Sequence, residues 1–176
     1  MNKLLRMTSV AATVAALAFA TTPAAAVTSG TDSSAKVRIL KPLTLVSSAN
    51  LDLGDIVLSG TAPYSATVKL SALNSRTCAA NVTCSGTTSV AKYDLTGTKG
   101  QVVTIDAPNV TMNGPGGATL TLKTKDASNV AYYATSLTLD PTTGAGSVSI
   151  GGEVTVADTT PDGVYTGTFA VTAAYQ

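Results

Sequence analysis

The sequence predicts an all-β protein, an antiparallel β-sandwich behind an N-terminal export signal. Three observations carry that expectation. After residue 26 the chain is rich in Thr, Val, Ser and Gly, and its apolar residues alternate over short runs, the period of a half-buried strand. Turn clusters such as NGPGG, PTTGAG and TTPDG separate these runs at regular intervals, as they do in sandwiches. The first 26 residues are of a different kind from everything that follows.

That first stretch, MNKLLRMTSVAATVAALAFATTPAAA, places Lys3 and Arg6 ahead of an apolar run from about Met7 to Ala20. It ends on the small residues Ala24, Ala25 and Ala26. This is the layout of a secretory signal-peptide helix cleaved after Ala26. The run is shorter than the ~20 apolar residues of a membrane span, and no cysteine follows the cleavage position to take a lipid. Residues 27–35 then form a short polar extension, and residues 36–176 a single sandwich domain. The exported chain holds 150 residues, enough for one core. Losing Lys3 and Arg6 leaves nine basic residues against ten acidic ones, a net charge of −1. No basic stripe suits a nucleic acid, and no second apolar span is present. The expected location is the periplasm, the outer cell surface or the medium.

The strands follow in order. AKVRILKPLTLV (35–46) sets Val37, Ile39, Leu43 and Leu45 on one face. Lys41 interrupts that face, and Pro42 removes a backbone donor, which suits an edge or a kink. LDLGDIVL (51–58) comes next, with Gly54 marking a bulge or a close backbone approach, then YSATVKLSA (64–72). LNSRTCAANVTCSGTT reads as a polar loop. Its cysteines, Cys78 and Cys84, are the only two in the chain, and an oxidising compartment favours a local disulfide that pins a turn. SVAKYDLTG and QVVTIDA flank TKG as a hairpin, and NVTM and ATLTLKT flank NGPGG as another. AYYATSLTL (131–139), GSVSIGGEVTVA (146–157) and a terminal strand complete the series. In that last strand Tyr165, Gly167, Phe169, Val171, Ala173 and Tyr175 share the core face. Thr166, Thr168, Ala170, Thr172 and Ala174 share the other.

The chemistry is narrow. The chain has no histidine, so neither a Ser-His-Asp triad nor a histidine zinc set can be built. Glu153 is the only glutamate, and no local motif selects a Ser-Lys pair. Asp52 and Asp55 flank Gly54 at odd spacing, on opposite faces of a regular strand, which suits turn capping better than paired catalysis. NGPGG lacks the lysine and the helix of a phosphate loop. Asp-rich turns lack EF-hand spacing. NVT at Asn81 and Asn109 matches a glycosylation sequon that a bacterial-style signal makes irrelevant. With no Trp, a flat aromatic sugar platform is poorly provided, and Tyr132 and Tyr133 are expected on opposite faces, one core and one surface. No catalytic residue, metal or cofactor is expected.

The segment KPLTLVSSANLDLGDIVLSG (41–60) resembles the opening of the secreted bacterial family called domain of unknown function 4402. SIGGEVTVADTTPDGVYTGTFAVTAAYQ (149–176) is similar to that family's close. The resemblance extends over most of residues 36–176, is specific at the two ends, and weakens at the cysteine loop. The same ends are similar to those of chaperone–usher pilins, notably the spore-coat-U-like ones. That resemblance implies an immunoglobulin-like sandwich lacking its final strand, which a neighbouring subunit supplies, and a partnership with its own kind and with a periplasmic chaperone and usher. It also implies a near-terminal tyrosine, here Tyr175. The polar start VTSGTDSSAK does not alternate, so the segment of Val37, Ile39, Leu43 and Leu45 is either the assembly strand or the domain's own first strand. The expected function is a secreted, pilin-like structural subunit, with a self-contained surface or periplasmic binding domain for a glycan or protein as the alternative.

Overall fold

The computed structural model describes residues 34–176; the expected signal peptide and most of the polar extension lie outside them. Residues 38–176 form one compact unit. In chain order its strands are β1 (Thr44–Ala49), β2 (Asp55–Leu58), β3 (Ser65–Leu70), β4 (Arg76–Cys78), β5 (Val82–Ser85), β6 (Ala91–Thr96), β7 (Val102–Asp106), β8 (Val110–Asn113), β9 (Thr119–Lys123), β10 (Ser136–Thr138), β11 (Ala145–Ile150), β12 (Gly152–Ala157) and β13 (Thr172–Tyr175). A single 3-10 turn, Pro115–Gly117, interrupts the all-β pattern. Among the described residues no helix is long and apolar enough to cross a membrane.

All the ladders are antiparallel, and the fold is a β-sandwich. β1, β6 and β11 form one sheet with β6 in the middle, and β10, β7 and β13 form another with β7 in the middle. Their inner faces enclose a first core of Leu95, Val103, Ile105, Tyr133, Leu139, Val148 and Ile150. A five-stranded sheet, β4-β3-β12-β9-β8, carries a second core of Val68, Val110, Leu122, Val154 and Val156. A two-stranded ribbon, β2 with β5, stands beside it.

Two long stretches belong to more than one sheet. β11 pairs with β6, but one residue later β12 pairs with β3 and β9. Gly151 sits at the bend, where a Cβ would run into the Leu70 carbonyl oxygen; only glycine admits so close a backbone approach. The terminal stretch divides in the same way. Thr166 exchanges backbone hydrogen bonds with Asn113 at the edge of β8, and only Thr172–Tyr175 joins β7.

Other expectations need correction. SVAKYDLTG and QVVTIDA are strands but not a hairpin: β6 pairs with β1 and β11, and β7 with β10 and β13. The Gly97 N–H donates to the Gly144 carbonyl instead, so the turn after β6 carries the chain from one sheet to the other. The cysteine segment is not a plain loop. It contains β4 and β5, and the expected bond between Cys78 and Cys84 joins them. Of AYYATSLTL only Ser136–Thr138 is a strand, with isolated bridges at Ala131 and Tyr133. The NGPGG hairpin forms as expected, Val110 facing Leu122 and Asn113 facing Thr119.

Candidate functional site

A groove of about 1230 Å³ lies over the second core. Residues 47–58 form one wall, the end of β1 and all of β2, and residues 160–169 form the other. Its floor is apolar: Ala91, Val110, Leu120, Leu122, Val154 and Val156. Val57 and Val164 stand on its margin with 52% and 80% of their surface exposed. The charged residues in its lining are Asp52, Asp55 and Asp162, with no Lys or Arg among them.

Both walls offer backbone. Among the described residues β1 pairs only with β6, and its second edge carries no ladder there. On the opposite wall Thr166 spends its N–H and C=O on Asn113. In an antiparallel pair neighbouring residues point their backbone groups the other way, so those of Tyr165 and Gly167 turn toward the groove.

Outside the groove's lining, Tyr175 ties three segments together. The Tyr175 hydroxyl accepts from the Thr98 N–H at 2.7 Å and donates to the Lys41 carbonyl at 2.8 Å. The Lys41 N–H donates to Thr98 Oγ1 at 2.6 Å. This knot joins the start of β1, the turn after β6 and the last strand.

The structure divides the four apolar residues of the candidate assembly strand. Leu43 and Leu45 pack against the first core, Leu45 within β1 opposite Leu95. Val37 and Ile39 are 82% and 86% exposed. In the terminal stretch Phe169, Val171 and Tyr175 pack against the cores but are only half-buried, while Thr166, Thr168 and Thr172 are exposed; Tyr165, expected with them, belongs to neither core and instead lays its ring on Gly114 and donates its hydroxyl to the Pro161 carbonyl. Phe169 touches both cores and lines the groove. Its incomplete burial follows from the open space beside it.

A second, polar concavity of about 410 Å³ lies on the outer face of β3 and β12, lined by Thr67, Lys69, Lys123, Asp126, Glu153 and Thr155 among others. Glu153 is buried there, opposite Lys69 and Lys123 in the two ladders. Tyr132 Oη donates to its Oε2 at 2.6 Å, and Lys69 Nζ lies 3.6 Å from the same oxygen. Burial, and then the Glu153 carboxylate, push the Tyr132 hydroxyl well above the ordinary tyrosine range. Tyr133 points the other way, into the first core, and its hydroxyl accepts from the Ala107 N–H. The opposite-face expectation for the tyrosine pair therefore holds. Asp52 Oδ1 accepts from the Gly54 N–H at 2.8 Å, the expected turn cap. Among the described residues no three of His, Cys, Asp and Glu gather closely enough to hold a metal ion.

The resemblance implied a gap for a missing strand, but sequence reading did not place the groove's walls, and it missed Arg76. The groove's walls lie over one hundred residues apart in the chain, and no local signal links them. Arg76 has a weak local cue, a lone cation in the polar cysteine segment.

The family model described as Domain of unknown function (DUF4402) matches residues 43–175, from just before β1 to the end of β13. No curated protein matches the chain, and no solved structure does.

Proposed function

The chain belongs to the DUF4402 family, and on that footing we propose that it is an exported, pilin-like structural subunit whose sandwich is completed by an added β-strand. The observation that carries this reading is the groove: an apolar floor between residues 47–58, which include the outer strand β1, and residues 160–169. Strand addition uses main-chain groups for affinity and alternate side chains for selection. The same opening leaves the inward residues of the last strand half-exposed.

The occupant in this reading is residues 36–41 of a second copy. Lys36, Val37, Arg38 and Ile39 alternate basic and apolar, and Lys41 adds a further cation. The apolar pair fits the floor, and Lys36 and Arg38, on the other face of the segment, meet the acidic rim, while Lys41 shares the face of Val37 and Ile39. Leu43 and Leu45 already serve their own domain, so the donor's apolar contribution is Val37 and Ile39. Burying two such side chains contributes about 3–6 kcal/mol before ordering losses, and the ladder hydrogen bonds add to it. A periplasmic chaperone would hold the groove until assembly, and no catalytic role is part of this reading.

Expression of residues 27–176 with export tests it. Heat-resistant oligomers are expected, and Ile39→Asp should abolish them while an added peptide of residues 34–46 occupies the groove of the variant. A stable, cooperative monomer that ignores the peptide overturns the proposal. It would favour the second reading, a closed binding domain, for which the polar concavity around Glu153 is the structural support.

A further inference from the structure

One wall of the groove stands on a ribbon of two strands. Among the described residues β2 pairs only with β5, and β5 only with β2. A two-stranded ribbon is at best marginally stable by itself. Here it is tied to the five-stranded sheet at two points, both through β4, the edge strand of that sheet. The disulfide joins Cys78 of β4 to Cys84 of β5. Cys84 stands opposite Ile56 of β2, which lines the groove, so the tie reaches the middle of the wall. At the ribbon's base Arg76 Nη1 donates to the carbonyls of Leu53 at 2.9 Å and Ser85 at 2.7 Å. Gly54, at φ +73°, leaves the space that this guanidinium fills: a Cβ there would strike Nη1.

We infer that the Cys78–Cys84 disulfide, seconded by Arg76, latches the β2–β5 wall in place, so that the groove captures a strand more tightly once the two cysteines are oxidised. The inference rests on the strand-capture reading above. The latch closes by exchange with an external disulfide: the two cysteines give up two protons and two electrons, their S–S bond forms, and the external disulfide leaves as two thiols. An external dithiol reverses the step and closes to its own disulfide. Ile56, Leu58 and Val82 pack against the second core without help from the bond, so reduction loosens the ribbon and spares the fold.

The test uses residues 27–176 in the Ile39→Asp background, which keeps the chain's own segment from competing. The probe is a labelled peptide of residues 34–46. Removing the bond (Cys78→Ser with Cys84→Ser) should weaken capture by about tenfold through lost preorganisation, and Arg76→Met by a smaller factor. Amide exchange at residues 55–58 and 82–85 should quicken by about tenfold while β6 and β12 keep their protection. Should the double variant not fold, dithiothreitol treatment of the folded, oxidised protein supplies the same two readouts. Capture within about twofold of the oxidised protein, with unaltered ribbon exchange, overturns the latch. If the oxidised protein captures no peptide, the strand-capture reading is what fails. Ribbon exchange then decides the latch alone: faster exchange on reduction supports it, and unchanged exchange overturns it.

Discussion

In the first core Leu95, Val103, Leu139 and Ile150 have no exposed surface. Along the groove side of the second, Ile56, Leu58, Met112, Leu120 and Phe169 are inward-facing and yet half-exposed. The side chains are of the same kind, and both sets sit on the inner face of alternating strands. What differs is the opposite layer. The sheets around β6 and β7 close on each other and are knotted at one end by Tyr175. The five-stranded sheet is covered only by a ribbon and by a stretch that crosses to another sheet. The centre of the second core is buried all the same, Val68, Val110, Leu122, Val154 and Val156 among it; only the residues at its groove margin are left half-exposed.

The comparison can be broken by truncation. Leu139→Ala removes a fully enclosed side chain and should destabilise by about 2–5 kcal/mol. Phe169→Ala should fall short of the ~3–5 kcal/mol typical of an enclosed phenylalanine, and reach that range only when a strand fills the groove. Urea unfolding of each variant, with and without the peptide of residues 34–46, measures both. A Phe169→Ala loss that is full-sized and unchanged by the peptide would mean that the second core is already closed.

A smaller effect sharpens the account of the closed core. Tyr175→Phe deletes the hydroxyl that links Thr98 and Lys41. Two hydrogen bonds at ordinary net value predict a loss of about 1–2 kcal/mol, read from the unfolding midpoint. A neutral substitution would show that the knot follows closure instead of securing it.

The smallest effect concerns acid. The Asp140 carboxylate accepts from the Thr143 and Thr142 N–H groups at 2.6 and 2.8 Å and from the Thr143 hydroxyl at 3.0 Å. These bonds, Thr143's first, hold its pKa below the ordinary value. A depressed folded pKa contributes stability above the unfolded value, near ~3.9. That stability disappears as pH falls through the lower folded value. Asp140→Asn should therefore lower the unfolding midpoint at neutral pH, with the difference from the parent shrinking in acid. The turn spans residues 140–144, beside the closed core, so peptide capture by the groove should not change. A midpoint gap that persists unchanged below ~pH 3 would remove the carboxylate bonds as its cause.

The sequence by itself determined which residues face in. Strand side chains alternate with period two whatever the strand pairs with, so Phe169, Val171 and Tyr175 were legible as one face and the threonines between them as the other, while Tyr165, where the stretch leaves β7 for β8, packs on Gly114 instead. The NGPGG turn and the Cys78–Cys84 bond were legible too, because a short connection constrains its own ends. Only the tertiary structure decided partners. TKG is a competent turn, but β6 and β7 found better edges elsewhere. The polar cysteine segment became β4 and β5 because the five-stranded sheet and β2 offered edges to it. The groove is the furthest from local reading. It is a lane left between residues 47–58 and 160–169 once every other strand has paired. A free edge is the remainder of all the long-range pairings in the molecule, and no window of neighbouring residues contains that information.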